Sequence, residues 1–547
     1  MKSEFTFNSR RSPVIGRRGM VATSQPLAVA AGLEVLSRGG NAADSAVATA
    51  AALNVTEPTS TGIGGDVFAL YYQASTREIT ALNASGRSPA ELTLETLSKE
   101  GLQEEFPPFH PYTITVPGAC SGWCELVERH GRLNMEEVLT PAIRLAEQGF
   151  AVAPTTAYFW ERGVKRQLKN TAHGMELTID GRAPRAGEVF RNSGLARTMR
   201  TVAEKGMDIF YQGEIAEAIV AEVQAEGGCL SLGDLATHTA TWEEPISSTY
   251  RGYKVWECPP NGQGLTALIG LNILEGFDLA KLRPFSAERL HLQIESLRLA
   301  FADSRWYVSD PRFNSTPIDQ LLSKDYAEDR RKRINPQRAT LDQSRGTPFL
   351  SSDTVYLTVV DVDGNACSFI NSNYMGFGTG IVPKGWGFSL QNRGHNFCLD
   401  PGHPNALAPL KRPYHTIIPG MITVESEPID GVGELFASFG VMGGFMQPQG
   451  HLQVASFLID NGLDPQCALD KPRFVIQSGE ADGIVGLEEG IPSSTHKKLE
   501  RMGHPVEFVR GYERAIFGRG QVILRKAENG VLWGGSDPRA DGCAMSL

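Results

Sequence analysis

The chain has 547 residues, 41% hydrophobic and 21% charged, the balance of a globular protein with a sizeable core. Its net charge of −10 argues against nucleic acid or an anionic membrane as the main partner. Eight cysteines without dense spacing argue against a disulfide framework and leave reduced structural thiols as the expectation.

Arg10-Arg11 and Arg17-Arg18 are not followed by an apolar stretch of signal-peptide length, so a cytoplasmic location is expected. Apolar residues from Pro26 to Leu36 recur at helical spacing, and Gly39-Gly40 stops that helix. Asn41 caps a second predicted helix, alanine-rich through Leu53, too short to span a bilayer and small enough in side chain for close packing. The loop Thr61-Gly62-Ile63-Gly64-Gly65-Asp66 leads into strands over Val67–Tyr72 and Glu78–Leu82. From about Gly118 to Ile334 the pattern is mostly helical. Within it, Thr249 to Val255 reads as one strand, Leu265–Leu274 as a buried helix and Leu290–Val308 as an amphipathic helix.

The polar run Gln343-Ser344-Arg345-Gly346-Thr347-Pro348 reads as an exposed loop, and β-branched and aromatic residues from Val355 predict a strand. Asp363-Gly364 is a hairpin signal, with Cys367 to Ile370 returning as partner. Thr354 therefore stands at a loop-to-strand junction. A cut before it would put a hydroxyl and a new α-amine on one residue, a self-contained nucleophile and base. Beyond it the pattern is strand-rich: Ile417–Val424, Leu435–Phe439 before Gly440-Val441-Met442-Gly443-Gly444, a helix over Ser494–Arg501, and a strand through Val522–Leu524. The first half is helix-rich and the second sheet-rich, with no linker between them, so one interlocked unit is expected. The sequence lacks a Gly-x-Ser-x-Gly elbow, a His-Glu-x-x-His motif, a phosphate-binding loop and an EF-hand loop. No metal or cofactor is expected.

Ten segments, in order, resemble the γ-glutamyltransferase family of N-terminal-nucleophile hydrolases. They are Gly39 to Asp44, Gly62 to Asp66, Tyr250 to Tyr253, Asn272 to Glu275, Ala302-Asp303, Thr354 to Asp361, Phe377 to Gly380, Lys411 to Pro413, Gly443-Gly444 and Ser536 to Arg539. The resemblance implies an α+β fold, a four-layer αββα sandwich with the helix-rich and sheet-rich parts interlocked. It also implies self-cleavage between Asp353 and Thr354, giving a large part of 353 residues (1–353) and a small part of 194 (354–547) that remain together. Thr354 is then the nucleophile, Ser372 the hydroxyl beside it, and Gly443 and Gly444 the amides of the oxyanion hole.

Around that machinery the γ-glutamyl clamp is rewritten. Where the family has an arginine for the substrate α-carboxylate, this chain has Ser85, with Arg87 two residues on. Asn396 replaces the carboxylate that grips the substrate amine, Arg393 a glutamine, His415 and Thr416 a pair of serines, and Tyr374 an asparagine. The resemblance is therefore to the branch holding γ-glutamyltransferase-like proteins, oxamate amidohydrolases and cephalosporin-type acylases. The expected activity is hydrolysis of a small-molecule amide through an acyl-enzyme, with a carboxylate-bearing substrate. A γ-glutamyltransferase or glutathione hydrolase, and a binding or scaffold protein that never matures, stay open as alternatives. So does a homodimer.

Overall fold

The computed structural model describes residues 11–104, 106–341, 354–425, 431–480 and 482–547. Two seven-stranded antiparallel sheets stack face to face. The first runs Cys543–Ser546, Met20–Thr23, Val355–Val360, Ala366–Ser372, Asp66–Gln73, Glu78–Ala84, Thr241–Glu243. The second runs Val14–Gly16, Leu532–Ser536, Arg519–Arg525, Leu435–Met442, Gly420–Val424, Tyr253–Glu257, Ile246–Tyr250. Each sheet draws strands from both sides of Thr354, so the helix-rich and sheet-rich parts share both sheets.

Helices cover the outer faces. Ala42–Thr56 lies on Val355–Val360 and Ala366–Ser372, and all 15 of its residues are buried. Its alanines and Ser45 let it sit close to the sheet, and Asn41 with Asp44 forms a reciprocal cap at its start. Gly264–Glu275 and Met446–Ile459 cover the second sheet. The result is the four-layer αββα sandwich.

Local expectations hold for most elements, with two corrections. The strand expected from Thr249 to Val255 is a hairpin: Ile246–Tyr250 pairs with Tyr253–Glu257 around Arg251 (φ 55°) and Gly252 (φ 81°). Two consecutive positive φ values make the tight turn that matches strand twist, and Arg251-Gly252 lacks the Asn-Gly or Asp-Gly signature that announces one. The long helix, Ala287–Tyr307, is not amphipathic. Arg289, His291, Gln293, Glu295 and Arg298 are all buried, because the Ser493–Arg501 helix and the segments carrying Asn335, Asn461 and His504 cover the face that periodicity assigned to solvent. Among the described residues no helix is long and apolar enough to cross a membrane.

Between the sheets, Thr358 Oγ1 donates to Ser438 Oγ at 2.6 Å, and the Tyr356 ring lies over Gly440. A Cβ at Gly440 would stand 2.5 Å from Tyr356 Cε2. Gly440→Val should therefore lower stability by about 1–3 kcal/mol through overpacking. Denaturant unfolding checks this, and an unchanged midpoint would show that the ring can move aside.

Candidate active site

Thr354 immediately precedes the Val355–Val360 strand. The register pairs Val355 with Asn371, which places Thr354 opposite Ser372 at the end of the ladder. The two hydroxyl oxygens are 3.2 Å apart and both residues are fully buried. Ser372 Oγ also accepts the Tyr374 backbone N–H at 2.8 Å. Tyr374 has φ +77°, unusual for a residue with a Cβ, a strained backbone of the kind that gathers at functional sites. The turn sends its side chain back beside the strand end.

Five of the expected substrate-binding residues form one connected set around that ring. Tyr374 Oη donates to Asn396 Oδ1 at 2.7 Å. The Arg393 guanidinium stacks 4.4 Å from the Tyr374 ring centre, and its Nη1 donates to Thr416 Oγ1 at 2.6 Å. His415, next to Thr416, donates from Nε2 to Asp66 Oδ2 at 3.0 Å, while Asp66 Oδ1 accepts the Gly86 amide at 3.0 Å. Arg393 Nε stands 3.9 Å from Asp66 Oδ2. Among the described residues, Arg393 Nε and Nη2 and Asn396 Nδ2 are buried donors without a hydrogen-bond acceptor. A buried set with three open donors is suited to an anionic ligand.

Burial governs the protonation of this set. It lowers the Arg393 pKa to about 10, with Asp66 opposing the shift, and raises Tyr374 to about 12 against the arginine charges. It lowers His415 to about 3, helped by the Arg393 charge and opposed by the Asp66 hydrogen bond. His415 is therefore a neutral imidazole with its proton on Nε2, and its Nδ1 accepts the Ile417 amide at 3.5 Å.

Gly443 (φ +132°) and Gly444 (φ +59°) follow the Leu435–Met442 strand and precede the Met446–Ile459 helix. These angles need glycine. Among the described residues neither amide has a hydrogen-bond acceptor. Gln263 ties this corner to the substrate-binding set, its Nε2 donating to the Thr416 carbonyl at 2.6 Å and to the Gly444 carbonyl at 2.9 Å. Gln263 has no sequence signal. Asp66 had one, as the acid closing a glycine loop, but nothing in the chain order linked it to Arg393. Arg87 stands apart: its Nη1 reaches the Thr239 carbonyl at 3.5 Å, in a charged cluster with Arg312, Asp310 and Glu243. Asp353 lies outside the described residues.

One potential metal-binding group, His291, Glu295 and His504, is buried elsewhere under the second sheet's helices. His291 donates to the Asn335 carbonyl, and its Nδ1 lies 2.8 Å from His504 Nε2. Arg298 Nε is 3.7 Å from Glu295 Oε1. With a hydrogen bond already between the imidazoles and a cation beside the acid, the group reads as a buried polar network.

The gamma-glutamyltranspeptidase family model matches residues 28–547. The chain belongs to that family. A crystal structure of cephalosporin acylase from Bacillus halodurans is 46% identical, with a TM-score of 0.92, covering 100% of this chain and 99% of the other. The glutathione hydrolase-like YwrD proenzyme of Bacillus subtilis (strain 168) is 37% identical over 98% of this chain and 99% of its own length. The oxamate amidohydrolase proenzyme of Klebsiella pneumoniae subsp. pneumoniae is 32% identical over 97% and 98%. This family member accordingly has the N-terminal-nucleophile hydrolase fold and is an enzyme of the hydrolase and acyltransferase type.

Two outcomes are expected of the buried charges. Asp66→Asn leaves Arg393 without its carboxylate and should cost about 3–5 kcal/mol in denaturant unfolding. A loss under about 1 kcal/mol would mean that water reaches the guanidinium. The second concerns His415. The unfolded chain binds a proton there below about pH 6.5, whereas the native residue stays neutral down to about 3. The native state thus loses stability as pH falls through that window, and keeps all of it above. His415→Gln removes the titration, so the stability gap between native protein and variant should shift by about 2 kcal/mol in the variant's favour from pH 7.5 to pH 5. A constant gap would show a protonated native imidazole.

Proposed function

We propose that the chain is an autoprocessing N-terminal-threonine amidohydrolase acting on small amides whose acyl half carries a carboxylate. The observation that carries this reading is the junction itself: Thr354 Oγ1 lies 3.2 Å from Ser372 Oγ at the strand end, and Ser372 is joined through Tyr374 to a buried arginine with open donors. Relatives described as proenzymes support it.

In maturation, Thr354 Oγ attacks the Asp353 carbonyl. The peptide C–N bond breaks as the ester C–O bond forms, and the hydroxyl proton passes to the freed α-amine. Water then hydrolyses the ester, giving the Asp353 carboxylate and restoring the Thr354 hydroxyl. In the mature enzyme the same oxygen attacks the substrate amide. The α-amine, with an ordinary pKa of about 7.7–8.0, takes the hydroxyl proton and passes it to the leaving amine. The Gly443 and Gly444 amides stabilise the oxyanion, and loss of one such donor typically costs about 10²–10³ in turnover. Water hydrolyses the acyl ester. The cut parts, 1–353 and 354–547, stay together because Val355–Val360 is hydrogen-bonded between Met20–Thr23 and Ala366–Ser372.

The acyl half is selected by charge. A γ-glutamyl group carries an ammonium and a carboxylate on one carbon, and each needs a partner when desolvated. Arg393 Nη2 and Asn396 Nδ2 are donors and suit the carboxylate. The carboxylate in the set, Asp66, already accepts from Gly86 and His415, and Asn396 is neutral. A dicarboxylic half-amide, or oxamate itself, fits better than a γ-glutamyl compound.

Purified protein should therefore show two bands on a denaturing gel, the smaller beginning Thr-Val-Tyr-Leu by N-terminal sequencing, and Thr354→Ala should stay one chain. Any other start sinks the assignment of the nucleophile. Gly443→Val should suppress turnover in a folded, cleaved protein. A glutaryl anilide should exceed its γ-glutamyl counterpart in kcat/KM by about 30-fold or more, the order expected for a missing charged partner at a desolvated site. A γ-glutamyl advantage of tenfold, about 1.4 kcal/mol, would place an acidic partner for the ammonium in the site.

A further inference from the structure

We infer that Gln263 is a positioning residue: its side-chain amide holds the oxyanion corner in register with the buried arginine, so that a substrate gripped by its carboxylate presents its scissile carbonyl to Gly443 and Gly444. Its role rests on the amidohydrolase reading above. The corner is a turn closed on itself. The Met446 amide donates to the Gly443 carbonyl at 3.0 Å, and the Gln447 amide to the Gly444 carbonyl at 3.1 Å. These bonds give the turn its shape, but both donors belong to the same segment and travel with it. Gln263 holds it from outside. Its Nε2 donates to the Gly444 carbonyl at 2.9 Å and to the Thr416 carbonyl at 2.6 Å. Thr416 is also the residue whose hydroxyl accepts from Arg393 Nη1 at 2.6 Å. A single amide group therefore joins the corner to the clamp.

Gln263 is itself firmly seated. It is fully buried, and it immediately precedes the Gly264–Glu275 helix. Its backbone N–H donates to the His415 carbonyl at 3.0 Å. Tyr414 Oη donates to its Oε1 at 3.1 Å, which fixes the acceptor end of the amide and turns the donor end to the two carbonyls. The tie matters unequally to different substrates. An amide gripped at Arg393 is bound at two points, and their spacing must match its own length. An amide without the distal carboxylate touches the corner alone and shifts with it.

The test compares native protein with Gln263→Met, which keeps length and bulk but donates nothing, on glutaryl 4-nitroanilide and pentanoyl 4-nitroanilide. The two substrates have chains of the same length, and only the first carries the distal carboxylate. The variant should lose about 10- to 100-fold on the glutaryl anilide, the order that follows from a misplacement of about 1 Å. The loss should fall in kcat rather than KM, because Arg393 still grips the carboxylate in the ground state while the oxyanion is no longer met. The pentanoyl anilide should lose about threefold or less, so the glutaryl-to-pentanoyl ratio of kcat/KM falls by about threefold or more. Tyr414→Phe, which frees the amide to turn, should move that ratio the same way by less, and takes the place of Gln263→Met should the latter fold poorly. Crystal structures of native protein and variant read the tie without turnover. A Gly444 carbonyl that moves away from Thr416, with the Met446–Gly443 bond kept, supports the tie even if neither anilide is cleaved, in which case the amidohydrolase reading falls alone. Equal losses on the two anilides, or an unmoved Gly444 carbonyl, overturn the role of Gln263 and leave the amidohydrolase reading standing.

Discussion

The strand Val355–Val360 holds this molecule together. It is hydrogen-bonded on one side to Met20–Thr23 and on the other to Ala366–Ser372, and its inner face packs on Leu435–Met442 and Arg519–Arg525 of the second sheet. At the head of the strand the Ala366–Ser372 ladder reaches Val355, while the Met20–Thr23 ladder starts at Leu357 and the Thr23 hydroxyl donates to the Tyr356 carbonyl. Thr354 occupies that place. Its hydroxyl is positioned against Ser372 by sheet register, which is stiffer than a loop. The proposed cut fits the same constraint: severing the chain in front of a doubly paired strand removes a covalent link and leaves the hydrogen bonds in place.

The second constraint is electrostatic. Arg393 and Asp66 are both fully buried, and the 3.9 Å between them is long for a charge pair. Desolvation opposes both charges, and the site offsets it with the Thr416 hydroxyl, the Gly86 amide, the neutral His415 and the Tyr374 ring. Such an arrangement is a poor source of stability. Its value lies in holding donors in place before a ligand arrives, so that little reorganisation is needed when charge appears. The strained Tyr374 backbone belongs to the same economy, since the strand end must turn sharply to bring the phenol beside Arg393.

The sandwich also explains why closed and open sides coexist around one threonine. The side that holds Arg393 is walled by residues carried on the segment that links a strand of one sheet to a strand of the other, packed to near-zero exposure. The other side is bounded by the Pro154–Arg166 helix and by the turn Gly511–Phe517, whose side chains stand out from the sheets and leave a groove between them. One wall can change its charge without disturbing the other.

Much of this was legible in the sequence, because it is local. The alanine-rich helix with its Asn41 cap, the Asp363-Gly364 turn, the glycine pair at 443–444 and a threonine at the head of a strand are each written in neighbouring residues, while the loop expected over Gln343 to Pro348 lies outside the described residues. Motif order carried the family and, with it, the four-layer fold. The failures were non-local. Arg251-Gly252 made a hairpin that no turn signature announced, and the Ala287–Tyr307 helix was buried on the face its polar residues assigned to water. Arg87, two residues from the position the resemblance implied, reaches the Thr239 carbonyl, a contact that chain order does not announce. Asp66 and Arg393 are 327 positions apart in the chain and meet only because the Asp66–Gln73 strand lies beside Ala366–Ser372. Sequence by itself determined which chemistry the chain carries and where its nucleophile candidate sits. Tertiary structure alone decided which charges share a desolvated space, since burial and partner distance, which set protonation and open donors, exist only once the two sheets have closed on each other.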